Sequence, residues 1–289
     1  MNVLYLFLAM TFSAMITVGG RLYNKRCEGM GDVVRFYNIL VPFFASLGWL
    51  ALWAFDFSFD VGILPYSLLY GLGYCAFTVG MLGALKHGST SLTGLIKQIS
   101  LVAVSFWGFA FWSTPFTLLT GIGIFLTVLS LFLCLSKKKG EASFSHMGKW
   151  LFYVSLVALG NAGCSIVQRY QQMAFDYQHK NAFMFFGVAF ATLISALWAC
   201  GEKKAAWRRV FCESWWCPAL AGLSSAASNL FILLMIKERL STSVIYPGIA
   251  VGGLIITTLI AFFGFKEKLR RAQWVGLGVG ALALVLLNL

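Results

Sequence analysis

Ser89-Thr90-Ser91-Leu92-Thr93-Gly94-Leu95-Ile96-Lys97 opens a segment that then runs from Gln98 to Ser136 without another Asp, Glu, Lys or Arg. The charge-free run is 39 residues long, almost twice the roughly 20 apolar residues a helix needs to cross the hydrocarbon of a bilayer. Ser113-Thr114-Pro115 interrupts it. Proline lacks the backbone N–H and disfavours helix at the residue before it, so the segment reads as two spans, 89–111 and 116–136, joined by a short turn.

The same reading extends along the chain. Further charge-free stretches cover 2–20, 36–55, 61–85, 150–168, 181–201, 214–236, 240–265 and 272–289. Ten helices are expected, near 2–21, 34–55, 64–85, 89–111, 116–136, 149–169, 181–200, 215–236, 241–264 and 272–289. Composition agrees: 60% of the 289 residues are hydrophobic and 11% are charged, against about 25% charged in soluble domains. An ordinary soluble enzyme could not cover that much apolar side chain. The net charge of +12 is carried in short runs between apolar spans, which is the arrangement of a membrane protein and not of a nucleic-acid binder. The seven Cys form no C-x-x-C pair and read as small buried hydrophobes, with no metal site and no cofactor implied.

Basic residues set an orientation. The odd-numbered loops hold 17 Lys and Arg, and the even-numbered loops hold four, Arg169, Lys180, Lys237 and Arg239. The expectation is an integral protein of the plasma (inner) membrane with odd loops in the cytoplasm and both termini outside.

An internal repeat is visible. Ser89-Thr90-Ser91 opens the fourth helix, and Ser241-Thr242-Ser243 opens the ninth, 152 residues later. Gly71-Leu72 and Gly222-Leu223 precede the two motifs, and Gly121-Ile122-Gly123 and Gly276-Leu277-Gly278 follow them. The offset divides ten helices into five plus five, as 1–140 and 141–289. An odd number of crossings per unit makes the two units inverted, which is a transporter arrangement with the binding site near the midplane. The expected fold is therefore an all-α membrane protein, ten transmembrane helices in two inverted five-helix repeats around a central cavity.

Arg35-Phe36 and the segment from Ser241 through Pro247, Gly264-Phe265-Lys266-Glu267-Lys268-Leu269, Gln273 and Gly276 resemble signatures of the drug/metabolite transporter superfamily, EamA-type branch. The first repeat diverges: Leu95 stands where the 152 offset matches Pro247, and Phe111-Trp112-Ser113-Thr114-Pro115 has no acidic residue. The resemblance implies secondary transport of small metabolites or drugs, with a cavity lined by helices 1, 3, 4, 6, 8 and 9.

Candidate substrate-binding residues follow from polarity inside spans. Lys97 sits eight residues into the fourth helix, about 12 Å deep at 1.5 Å per residue. A charge there costs about 2.5–3.5 kcal/mol on insertion scales, so it faces a cavity or a partner; it offers a positive charge to an anionic group. Tyr66, Tyr70, Tyr74 and Thr78 share one helix face, and Tyr70 and Tyr74 are candidate wall residues. Asn161, Ser165 and Gln168 share a face of helix six, as Ser225 and Asn229 do on helix eight; membrane amides need partners. Tyr246 adjoins Pro247, whose ring frees a backbone carbonyl. Ser13 on helix one is the weakest candidate, since a hydroxyl can bond its own backbone.

All ten Asp and Glu fall in loops or at helix ends, which disfavours an intramembrane carboxylate relay and an organic-cation pump. The leading expectation is a secondary transporter of a small anionic, zwitterionic or neutral solute working by alternating access. The alternative is a flippase for a lipid or lipid-linked intermediate on the same scaffold. An intramembrane enzyme is a distant third, because the three His (87, 146, 179) lie in loops or at helix ends. The expected partners are the small-molecule substrate, the bilayer, and a second copy across a glycine-rich surface on helix ten. A single cysteine placed at Lys138 should be labelled by an impermeant maleimide only from the cytoplasmic side, and an N-terminal tag only from outside. The opposite pattern would reverse the orientation.

Overall fold

The computed structural model describes residues 2–27, 33–87, 90–134, 147–199, 211, 213–264 and 270–287. Among them are ten α-helices and no strand: α1 Asn2–Arg26, α2 Val33–Asp56, α3 Leu64–His87, α4 Thr90–Phe111, α5 Leu118–Leu133, α6 Met147–Ala174, α7 Lys180–Ala199, α8 Trp216–Lys237, α9 Thr242–Phe263 and α10 Arg271–Leu287. One 3₁₀ turn, Val61–Ile63, precedes α3. Seven helices (α1, α2, α3, α6, α7, α8 and α9) are long and apolar enough to cross a membrane, and α4, α5 and α10 carry shorter apolar stretches of 17, 16 and 17 residues. The point at which the sequence repeats were divided, 140/141, lies outside the described residues, as do Ser89 and Glu267.

The break expected at Ser113-Thr114-Pro115 is present. The α4 helix stops at Phe111, Ser113 takes a left-handed φ of 49°, and Thr117 caps α5 by accepting from the Thr120 N–H at 3.1 Å. The α9 helix begins as its serine-threonine-serine opening predicts, with Ser241 Oγ accepting from the Ser243 N–H at 3.3 Å. Side-chain caps of this kind meet one of the amide groups a helix start leaves unpaired. Gln273 does the same for α10, its Oε1 accepting from the Arg270 N–H at 2.9 Å while its amide donates to the Cys134 carbonyl at 3.4 Å. One boundary differs in a way that matters below. The α6 helix was expected to end at 169 and continues to Ala174, so Arg169, counted with a loop, is inside the helix.

Large apolar side chains stand on the outer face of the helices as well as inside the bundle. Along α10, Gly276, Gly280 and Ala283 are buried while Val275, Leu282 and Val285 stand exposed. Large exposed side chains recur as Phe106 on α4, Phe125 on α5, Leu159 on α6 and Leu197 on α7. In lipid there is no hydrophobic gain from hiding such groups, and close packing of small residues holds helices together instead.

Packing follows from these small residues. The α3 helix lies along α6 and touches α7, and α1 lies along α8 and touches α9. Further pairs are α2 with α7 and α8, α4 with α6 and α9, and α5 with α10. At the α3–α6 seam a Cβ on Gly160 would come within 2.5 Å of the Phe77 N and 2.6 Å of the Gly73 carbonyl, and one on Gly80 within 2.7 Å of the Tyr153 carbonyl. At the α2–α8 crossing a Cβ on Gly222 would meet the Val41 carbonyl at 2.4 Å. These obstacles are backbone, which cannot rotate away.

Gly160 and Gly163 therefore make a paired test on one helix, because a Cβ at Gly163 meets nothing within 4 Å. Gly160→Ala should cost about 1–3 kcal/mol through overpacking. Gly163→Ala should be neutral or stabilising by up to about 1 kcal/mol, the helical advantage of alanine over glycine. Thermal unfolding of the two variants in detergent checks both signs.

Candidate functional site

Polar side chains from five helices join between α4, α6 and α8. On α4, Ser100 Oγ donates to the Lys97 carbonyl at 2.6 Å. Asn161 of α6 reaches across and donates to that same carbonyl at 3.1 Å and to Ser100 Oγ at 2.8 Å. One turn on, Ser165 Oγ donates to the Asn161 carbonyl at 3.2 Å, and the Ser165 carbonyl accepts from the Tyr246 hydroxyl of α9, also at 3.2 Å. Gln168 then donates through Nε2 to Asn229 Oδ1 of α8 at 2.7 Å, and Asn229 returns its amide to the Ser225 carbonyl at 2.8 Å. Ser225 shares a side-chain hydrogen bond with Tyr74 of α3.

Burial grades across this group. Gln168, Ser225 and Tyr246 are buried, whereas Lys97, Tyr74, Asn161 and Asn229 are half-buried. The Lys97 ammonium lies 5.6 Å from the centroid of the Phe77 ring of α3, within cation–π range. Its side chain is thus directed into the α3–α4–α6 junction.

Seven of the nine sequence candidates fall in or beside these polar groups: Tyr74, Asn161, Gln168, Ser225, Asn229 and Tyr246, and Lys97 through its backbone carbonyl, its ammonium lying instead over Phe77. Of the other two, Tyr70 touches the network only through its ring, 6.3 Å from that of Tyr74, and Ser13 lies apart from it. Tyr70 is 2% exposed and packs edge-on to Phe183 of α7 at 5.6 Å, against Gly187. Ser13 of α1 faces Gly253 of α9. Tyr66 packs on Phe175, and Thr78 returns its hydroxyl to the Cys75 carbonyl of its own helix.

The stripe on α6 extends further than expected. Ser165, Gln168, Arg169 and Gln172 follow the spacing of one helix face, and the extra turns of α6 carry it beyond the network. Gln172 is fully buried and its Oε1 has no hydrogen-bond partner. Arg169 Nε and Nη1 are buried without a partner, as is Trp112 Nε1. The i, i+3, i+4, i+7 pattern of polar residues was the signal for this extension; taking a charge as the mark of a helix end hid it. Among the described residues, no three His, Cys, Asp or Glu side chains gather as a metal site. The described cysteines, at 27, 75, 134, 164 and 217, are free thiols.

Comparison with known proteins adds two findings, and no protein-family model matches the chain. A solved crystal structure superposes over 99% of this chain and 95% of its own, with a TM-score of 0.72 at 13% sequence identity; that likeness concerns the fold alone. In sequence, 81 residues are 38% identical to a probable 4-amino-4-deoxy-L-arabinose-phosphoundecaprenol flippase subunit, ArnE, of Pseudomonas fluorescens (strain Pf0-1), covering 27% of this chain and 68% of that protein. Apolar helices of spanning length and this relative converge: the chain is an integral membrane protein that belongs to the ArnE-like family of DMT-like membrane transport proteins.

Proposed function

We propose that the chain is a secondary transporter that carries a small anionic, zwitterionic or neutral solute across the plasma membrane by alternating access, with Lys97, Asn161, Gln168, Asn229, Ser225, Tyr74 and Tyr246 as its central site. The observation that carries this reading is a pair of adjoining polar groups with half-buried members, Ser100, Asn161, Ser165 and Tyr246 on α4, α6 and α9 and Gln168, Asn229, Ser225 and Tyr74 on α6, α8 and α3, with a lysine at the edge of the first. Polar side chains this deep in lipid are costly unless they meet each other or a hydrated path. Amides and hydroxyls that already satisfy one another can exchange partners with a bound solute at small net cost, because a hydrogen bond is replaced and not lost.

The two-repeat architecture has independent support in the packing pairs. Exchanging each helix with the one five places along turns α1–α8 into α6–α3, α1–α9 into α6–α4 and α2–α8 into α7–α3, and it returns α2–α7 and α5–α10 to themselves. Each product is itself an observed pair. Five crossings per unit make such a pair inverted in the membrane, with the site where the units meet. The EamA-type assignment and the cytoplasmic placement of the odd loops rest on the sequence motifs and the distribution of basic residues given above.

A second reading is favoured by one specific finding, the named relative. That protein is a flippase subunit for a phosphoundecaprenol-linked aminosugar, and with 81 residues making up 68% of it, it is less than half the length of this chain. A chain of two such units could handle a polar headgroup in the central network while an acyl tail stays in lipid. Both readings are transport and neither requires covalent chemistry from the protein.

The test is uptake and efflux in proteoliposomes over a panel of soluble metabolites, in parallel with flipping of a fluorescent polyprenyl-phosphate sugar. Lys97→Ala should lower transport about 10- to 100-fold, the size of a lost charged hydrogen bond of about 1.5–3 kcal/mol, at unchanged expression and melting temperature. Full activity in that variant removes Lys97 from the site. Movement of the lipid-linked probe with no soluble substrate found selects the flippase reading.

A further inference from the structure

We infer that Arg169, with Trp112, forms a second station for the transported molecule, one that receives an oxyanion group of the phosphate or carboxylate type. This rests on the transport reading above and concerns residues outside the network proposed there.

The inference begins with unmet donors. Arg169 Nε and Nη1 and Trp112 Nε1 are buried and have no hydrogen-bond partner. The guanidinium lies 6.0 Å from the centre of the Trp112 ring, and the two belong to different helical hairpins, α6 and the exit of α4. Buried polar groups are normally satisfied, and an unmet charged donor is among the costliest exceptions. Two guanidinium donors and one indole donor are thus held close together without a protein acceptor, next to a positive charge.

Among the described residues no carboxylate is paired with Arg169, and the unpartnered acceptor on its helix face, Gln172 Oε1, is neutral. The described carboxylates lie at Asp56, Asp60, Asp176, Glu213 and Glu238, at the end of a helix or outside one. The neighbours of Arg169 are aromatic. Tyr170 packs edge-on to Trp112 at 5.6 Å and accepts from Trp107 Nε1 at 3.3 Å, and the buried Tyr246 is within electrostatic reach of the guanidinium. Arg169 itself is half-buried, so part of the residue remains open to an entering group. A guanidinium edge with an indole N–H beside it presents donors of fixed geometry, which suits two oxygens of one oxyanion.

Position ties the station to the central network. Arg169 follows Gln168 on α6 and stands eight residues, about 12 Å, beyond Asn161, the residue bonded to the Lys97 carbonyl. A molecule with an anionic group at Arg169 and polar groups at Gln168 and Asn229 would lie along α6. A free anionic metabolite and an anionic lipid headgroup present the same chemistry to such a station.

Thermal unfolding of the purified full-length protein in an uncharged detergent tests the station with defined probes: inorganic phosphate, acetate, and dioleoyl phosphatidic acid in mixed micelles, each against sodium chloride at matched ionic strength. At least one probe should raise the melting temperature in a saturable way. Arg169→Gln should weaken its apparent affinity at least about tenfold and Trp112→Phe about threefold, in line with the loss of a charge-assisted and a neutral hydrogen bond, while Lys149→Met, which removes an exposed lysine outside both sites, leaves it within about twofold. Arg169→Lys, which keeps the charge but not the fork, guards against a folding defect in Arg169→Gln and should bind with intermediate affinity. A response to phosphate or acetate assigns a soluble anion, and a response to phosphatidic acid alone assigns a headgroup. No response to any probe in the unaltered protein, or an equal response in Arg169→Gln, overturns the inference. Because binding is read without transport, a protein that binds the anion yet moves nothing contradicts the transport reading and leaves the station standing.

Discussion

Lipid offers no hydrogen bonds, and that constraint governs this molecule more than any single contact. Each helix meets its own backbone groups internally, so helices are the one regular element found among the described residues. Every additional polar group then has to find a partner within the protein. Asn161 reaching the Lys97 carbonyl, Tyr246 reaching the Ser165 carbonyl and Gln168 reaching Asn229 are all answers to that demand. The same demand makes the unanswered donors of Arg169 and Trp112 conspicuous.

The constraint also explains how the helices are held. Without a hydrophobic gain from association, contact has to come from close approach and from interhelical bonds. Gly80, Gly160 and Gly222 remove the Cβ where a neighbouring backbone passes, and Ser130 donates to the Gly276 carbonyl at 2.7 Å to tie α5 to α10. Bulky apolar side chains fill the interior, as Trp49 and Phe183 do, and also cover the outer surface, where Phe125 and Leu197 stand exposed.

Much of this was legible in the sequence because it depends on what lipid forbids. Charge-free runs located the helices, Pro115 located the turn between α4 and α5, and Ser241 located the start of α9. Seven of nine candidate residues fall in or beside the polar groups because a polar residue inside a span has few places to go. What could not be read was which neighbour each face meets. The tyrosine stripe on α3 divides, with Tyr74 directed to α8 and Tyr70 packed on α7, and only the tertiary arrangement decides this. Arg169 was obscured for a different reason: charge reports polarity and not helix termination, and α6 runs five residues past it.

The glycine seams carry a mechanical implication. The α3–α6 seam and its counterpart between α1 and α8, where a Cβ on Gly19 would come within 3.0 Å of the Cys217 carbonyl, each join a helix from the first five to one from the last five. Pulling the N-terminal half of the polypeptide bodily away from the C-terminal half would have to unzip both. The bodies that hold together most firmly are consequently stitched from both ends of the chain, and the looser joints lie between those composite arms.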